Sequence, residues 1–216
     1  MKRPREVVLL VVGCALLYAG LARRHTPSSI EPIAATCPTY HCGHHFRSEA
    51  ANHLFLEAEK LVHEPIRSLQ VALKIEPDNA GGYYHLARHL HDQQRYFEAI
   101  DASTRAIALQ PGFASAWNSR AYSRAQLEDP AQWELGLLDI RTALGLDDNE
   151  PTFWDTRGYL LFRMGRLKEA LPDMDRAVAG EPRRDHLSHR AQVLMGLGRS
   201  TEAGQDLARA ATALPN

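Results

Sequence analysis

The feature that most constrains the fold is a repeat of about 34 residues that runs from Phe46 to the end of the chain. Each unit has a bulky residue early, a small residue about sixteen positions later, an alanine seven further on, and then a residue that ends a helix. The ending residues, separated by 34, 37, 34 and 33 positions, are Pro77, Pro111, Asp148, Pro182 and Pro215. A fixed period of this length predicts a stack of similar units rather than one globular core.

Within each unit, apolar and small residues recur three and four positions apart, as on one face of an α-helix. Ala99, Ser103 and Ala106 show this spacing in the second unit. Proline ends a helix because it lacks an N–H group and crowds the preceding turn. We therefore expect an all-α domain of ten helices in five antiparallel pairs, with repeats over about residues 46–79, 80–113, 114–150, 151–183 and 184–216. The third unit carries three extra residues, which we expect to lengthen its second helix from Asp129-Pro130 onward.

The repeat resembles that of the tetratricopeptide repeat (TPR) family. The fourth unit matches the family pattern at Trp154, Gly158, Ala170, Met174 and Pro182. The chain departs from the pattern at Gly136, where alanine is usual, and at Asp148, which replaces a proline. The resemblance implies a right-handed α-solenoid whose concave groove is lined by the first helix of each unit. It also implies a protein that binds other proteins. The absence of catalytic motifs and of cysteine from the repeats further predicts that the protein is not an enzyme.

The same resemblance assigns groove positions to particular residues of the first helices. Carried over one by one, these are Tyr84, His85, Arg88, His91, Asn118, Ser119, Tyr122, Asp155, Tyr159, Phe162, His189 and Gln192. A lining of aromatic, imidazole, amide and hydroxyl groups suits an extended or helical peptide. The alternative is that some of these tyrosines only fill the space between helices.

Units three, four and five each carry an arginine three residues after the bulky residue and an aspartate four residues before the late alanine. The pairs, separated by 19, 16 and 16 positions, are Arg120 with Asp139, Arg157 with Asp173, and Arg190 with Asp206. The second unit has Leu86 and Ala102 at these positions, so it lacks both charges together. We therefore predict three structural ion pairs, each joining the two helices of one unit, rather than catalytic groups.

The first 25 residues are predicted to be an export signal or a short membrane anchor. Basic residues at positions 2, 3 and 5 precede residues 7–22, which carry no charge. Four alternatives remain open: an uncleaved anchor, a signal cleaved after Ala22, a lipoprotein site at Cys14, and an anchor that leaves the repeats facing the cytosol. The first two place the repeats outside the cytoplasm, either anchored to a membrane or exported.

Residues 26–45 are predicted to be a linker that contains a cluster of thiol and imidazole groups. The cluster consists of Cys37, His41, Cys42, His44 and His45. A Cys37–Cys42 disulfide, two unpaired thiols, and a zinc or copper site are all compatible with these residues. Their spacing matches neither paired C-x-x-C nor the haem-attachment motif C-x-x-C-H.

Composition and motifs argue against several other functions. The formal charge is -1, with 25 basic and 26 acidic residues that form no long block, so nucleic acid is not an expected partner. No G-x-S-x-G, H-E-x-x-H or phosphate-binding glycine loop occurs, and no cofactor is expected. The leading prediction is an anchored or exported scaffold for a peptide or protein partner. The alternative is a metal-carrying accessory protein that uses the Cys37/Cys42/His cluster.

The last repeat is predicted to cap the stack. Gly204 and Ala211 stand where the other units have larger apolar residues, as expected if no further unit packs on them. The repeat domain is therefore predicted to be monomeric.

Overall fold

The computed structural model describes residues 47–53 and 65–213. The chain divides into two units, Met1–Gly43 and His44–Asn216, and all described residues belong to the second. The predicted anchor, the predicted linker and the Cys37/Cys42/His cluster therefore lie outside the described residues. Within the described ranges, no helix is both long enough and apolar enough to span a bilayer.

The described part of the chain is helical throughout, with no β-strand between residues 65 and 213. Its helices are α1 Pro65–Ile75, α2 Ala80–Asp92, α3 Tyr96–Leu109, α4 Ala114–Ala125, α5 Pro130–Leu146, α6 Pro151–Arg163, α7 Leu167–Gly180, α8 Arg184–Gly196 and α9 Ser200–Thr212. Residues 49–53 are also helical, where the first helix of the first repeat is expected. The predicted all-α fold is confirmed.

Consecutive helices pack as pairs, and each pair stacks on the next. The pairs α2/α3, α4/α5, α6/α7 and α8/α9 make the most extensive contacts, and the second helix of each pair also packs on the first helix of the following pair. This arrangement is an α-solenoid of helix pairs, as the 34-residue period predicts.

The small residues of the repeat lie where helices approach most closely. Ala99, Ala106 and Ala170 are fully buried. Gly136 occupies the corresponding place in the third repeat, and a Cβ atom there would lie 2.9 Å from Leu160 Cδ2 of the next repeat. Leu160 of the neighbouring unit fills this space, so an alanine at position 136 would require the leucine side chain to shift.

Helix α5 contains the three extra residues of the third repeat. It has 17 residues, whereas α3 and α7 have 14 each. The Asp129 side chain accepts a hydrogen bond from the Ala131 N–H at 2.9 Å, and Pro130 occupies the first turn. Asp129 and Pro130 therefore start the helix, as an N-cap residue followed by proline should.

The three tryptophans each bind a carbonyl six residues earlier in the chain. Trp117 Nε1 donates to Pro111 O, and Trp154 Nε1 donates to Asp148 O, both at 2.8 Å. Trp133 Nε1 donates to Leu127 O at 2.7 Å. The first two bonds attach the start of one repeat to the residue that ends the previous one.

Candidate functional site

The first helices of the repeats, α2, α4, α6 and α8, form one face of the stack. Each contacts the first helix of the next repeat, whereas second helices of neighbouring repeats between residues 65 and 213 make few contacts or none. A stack whose units approach more closely on one side curves toward that side. The first helices therefore line the concave face, and all twelve predicted groove residues lie on them.

Four rings, one from each first helix, form a row along this face. We call His91, Tyr122, Tyr159 and His189 the aromatic row. Their ring centroids are separated by 4.7 Å, 6.0 Å and 4.6 Å in that order, and the two histidines stack on the tyrosines. Such contacts stabilise the pairing of neighbouring repeats and hold the rings in defined positions.

More aromatic side chains extend the row at its sides. Tyr96 from α3 lies 5.3 Å from His91, and Phe162 lies 6.1 Å from Tyr159. At the N-terminal end Tyr84 contacts Phe113 at 5.1 Å, and the Arg88 guanidinium lies 5.9 Å from the Tyr84 ring centre. The concave face is therefore rich in flat, rigid groups of the kind that dominate peptide-binding surfaces.

Polar groups next to the row are mostly hydrogen-bonded. His91 Nδ1 lies 3.0 Å from Ser123 Oγ, and Ser103 Oγ donates to Ser119 Oγ at 3.2 Å. His189 Nδ1 donates to Asp155 Oδ2 at 2.8 Å, which joins the fourth and fifth repeats.

The two histidines of the row have pKa values shifted in opposite directions. Burial lowers the pKa of His91, and the nearby charge of Asp92 offsets only part of that shift. Burial is also the largest effect on His189 and lowers its pKa, but the charge of Asp155, the hydrogen bond to it and the charge of Asp185 together raise that pKa above 6.5. Burial raises the pKa of Tyr122, and the charges of Asp155 and Asp185 raise it further.

The predicted groove residues differ in their accessibility. Arg88 is exposed and Asp155 is buried, at 4% exposure, while the other ten are partly buried. Tyr159 also packs against two buried clusters of the core, so it contributes to the interior as well as to the groove. Asp155 is buried and accepts a hydrogen bond from His189. The sequence pattern did not predict this contact.

Sequence reasoning missed three residues that influence this face. Tyr96 was missed because it starts a second helix, and only first-helix positions were carried over from the family. Ser123 binds His91 across repeats, and Asp185 acts through its charge. An aromatic residue at the start of α3 was the only sequence signal for any of them.

The structure brings together all three predicted ion pairs as two-bond contacts. Arg157 Nε and Nη2 donate to Asp173 at 2.7 Å and 2.6 Å, and the other pairs have the same geometry. The guanidiniums of Arg120 and Arg157 also lie over the rings of Trp117 and Trp154, at 4.9 Å and 4.5 Å. Each of these pairs joins the two helices of one repeat.

Among the described residues, no group of three or more His, Cys, Asp or Glu side chains is placed to hold a metal ion. The Cys37/Cys42/His cluster, which lies outside them, remains a prediction.

The fold and the concave face define an α-solenoid repeat protein, and part of its sequence is similar to a known repeat family. Residues 156–216 match the family model described as tetratricopeptide repeat. A thermophilic TPR protein of Thermus thermophilus has a TM-score of 0.69 and 19% identity, covering 77% of this chain and 93% of that one. MamA of Desulfovibrio magneticus has a TM-score of 0.59 and 13% identity, covering 76% and 94%. Residues 156–216 are therefore similar to tetratricopeptide repeats, and the two solved structures share the helical-repeat fold.

Two curated relatives show sequence similarity over longer segments. Cytochrome c-type biogenesis protein CycH of Pseudomonas aeruginosa is 30% identical over 179 residues, which cover 81% of this chain and 43% of that protein. Tetratricopeptide repeat protein 13 of Homo sapiens is 29% identical over 100 residues, covering 45% and 12%. The chain therefore spans less than half the length of these relatives.

Proposed function

We propose that this protein is a non-catalytic scaffold that binds a peptide or protein partner along its concave face. The aromatic row is the observation that carries the proposal, because rigid rings presented by four successive repeats offer a continuous surface to an extended or helical segment. The neighbouring imidazole, amide and hydroxyl groups supply the hydrogen bonds that set the register of a bound chain.

Site-specific photo-crosslinking in native membranes tests this proposal. A photoreactive phenylalanine analogue is placed at Arg88 or at Gln192 in the full chain, both in the predicted groove. The matched control carries the same analogue at Phe97, which is 70% exposed on a second helix. We expect a discrete crosslinked partner from the two groove positions and none from position 97. Equal crosslinking from all three positions, or crosslinking from position 97 alone, contradicts the proposal.

We also propose that residues 1–25 hold the protein at a membrane or direct its export, with the repeats outside the cytoplasm. The support is the uncharged run at residues 7–22 between basic residues. Protease is added to cells whose outer envelope has been permeabilised while the cytoplasmic membrane remains intact. It should digest the repeats and leave a cytoplasmic control protein undigested. Protection of the repeats under these conditions contradicts the proposed orientation.

A second candidate function is a role in c-type cytochrome biogenesis, favoured by the 30% identity to CycH over 81% of this chain. Deleting the gene should then reduce covalently bound haem in the cell's c-type cytochromes, as seen by haem staining of denaturing gels. Restoration by the full chain, and not by a variant with Tyr122 and Tyr159 changed to alanine that keeps the circular dichroism and melting temperature of the unaltered protein, would connect this role to the groove. Unchanged haem staining contradicts it.

A further inference from the structure

Two buried oxygen atoms on the adjacent first helices α4 and α6 have no hydrogen-bond partner among the described residues. They are Oδ1 of Asn118 and Oδ1 of Asp155. The two residues occupy the same position in adjacent repeats, since each directly follows a tryptophan. Buried polar groups are normally hydrogen-bonded, and an unpaired one costs free energy. Because both atoms are acceptors, the group that would pair with them must carry donors.

The electrostatics of this region favour a cation. Asp155 is 4% exposed, and its other oxygen accepts from His189. Burial raises the pKa of Tyr122, and the charges of Asp155 and Asp185 both raise it further, which indicates negative potential at the Tyr122 hydroxyl. Negative potential attracts a positively charged donor and opposes an acidic ligand.

Tyr122 and Tyr159, which lie one helical turn after Asn118 and Asp155, favour a flat cation. The rings of Tyr122 and Tyr159 lie 6.0 Å apart at an interplanar angle of 56°. A guanidinium is planar, stacks on aromatic faces and carries several N–H donors, whereas an ammonium is a compact point charge with stronger hydration.

We propose that this part of the groove binds an arginine side chain of the partner. We call Asn118, Tyr122, Asp155 and Tyr159 the acceptor site. The guanidinium donates to the two unpaired oxygens and lies against the tyrosine rings. Since both oxygens are buried, a covering side chain rotates as the arginine enters, a kind of change that is common at interfaces. The inference rests on the proposed function and specifies the chemistry of the partner.

The test is a selection of random twelve-residue peptides displayed on phage, using the full chain in mild detergent. We expect the enriched peptides to share an arginine. Replacing that arginine with citrulline, its uncharged isostere, should weaken binding about tenfold or more, and lysine should restore only part of the loss. In Asp155→Asn the difference between the arginine and citrulline peptides should largely disappear. The matched control is Asp101→Asn, which removes an exposed negative charge from α3 and should preserve the difference.

The outcomes separate this inference from the function on which it rests. Enriched peptides that bind equally well with citrulline would overturn the arginine site and leave the peptide-binding groove intact. A second selection uses a chain with Tyr122 and Tyr159 changed to alanine. If the unaltered protein enriches no peptide relative to this variant, both the arginine site and the peptide-binding groove are overturned. The comparison of arginine with citrulline on the unaltered protein requires no variant, so it remains decisive even if Asp155→Asn does not fold.

Discussion

Gln94 has a backbone conformation that is unfavourable for any residue with a Cβ atom. It has a φ of 60°, and the corresponding turns of the last two repeats have glycine, with φ of 73° at Gly165 and 76° at Gly198. A left-handed conformation brings Cβ close to the following carbonyl oxygen, a clash that glycine avoids. Gln94 is exposed, so its side chain offers little packing in return.

We therefore expect Gln94→Gly to increase the free energy of unfolding by about 1 kcal/mol, because relief of the clash exceeds the greater chain entropy of glycine in the unfolded state. Urea unfolding followed by circular dichroism measures the change. Gln93→Gly is the control, since Gln93 has a φ of -86° and carries no such strain. Equal loss of stability in the two variants would show that the turn at position 94 is not strained.

His189 should give the protein a pH-dependent contribution to stability. Its pKa in the folded protein is raised above 6.5, so the folded state binds the proton more tightly than the unfolded state does. That stabilisation is fully present below the unfolded pKa and is lost as pH rises through the folded pKa. His189→Gln should therefore lose more stability at about pH 5.5 than at about pH 8.5. An equal deficit at the two pH values would mean that His189 titrates normally, and NMR titration of its ring checks the pKa directly.

At the scale of elements, the arginine–aspartate pairs join the two helices of a repeat. The side chain of Asp173 is 5% exposed and that of Arg157 is 35% exposed, so loss of the arginine leaves a buried carboxylate without its partner. The pair in the third repeat differs, because Arg124 Nε lies 3.5 Å from Asp139 and provides a second cation.

We expect Arg157→Ala to reduce the free energy of unfolding by about 2–3 kcal/mol, a value reduced for the partial exposure of the arginine. Arg120→Ala, the matched control, should cost less because Arg124 remains beside Asp139. In a double-mutant cycle, changing Arg157 and Asp173 together should cost less than the sum of the single changes. Additive costs would show that the two side chains do not interact in solution.

At the scale of the whole molecule, the last described repeat presents small residues where the other repeats have larger apolar ones. A Cβ atom at Gly204 would meet nothing within 4 Å, and Ala211 is exposed. The corresponding Leu137 packs against the core of its own and the next repeat, which shows what this position does inside the stack.

Changing Gly204 and Ala211 to leucine should cause the protein to self-associate, because the two leucines restore the apolar surface that an additional repeat would cover. Sedimentation velocity of the full chain in detergent measures the change. The control places leucine at Gln205 and Ala208, both exposed on α9. Dimerisation of the unaltered protein through its last helices would contradict the cap.

The fold was predictable because its determinants lie within one repeat. Helical spacing, small residues at close approaches and an ending residue recur in each unit, so five imperfect copies reinforce one another. The arginine–aspartate pairs were predictable for the same reason, since Leu86 and Ala102 replace both charges together in the second repeat. The prediction of a longer second helix in the third repeat followed from counting residues and from Asp129-Pro130.

The sequence by itself determined the helix pairs, their ends and the charges that join them, since these depend on residues close together or at equal positions in each repeat. Only the tertiary structure decided the aromatic row and the acceptor site. The row joins unequal positions, because His91 lies eight residues after its repeat's bulky residue, Tyr122 and Tyr159 five, and His189 two. Which of these rings meet depends on how far each repeat is rotated against the next, and that rotation results from packing between repeats rather than from any one of them.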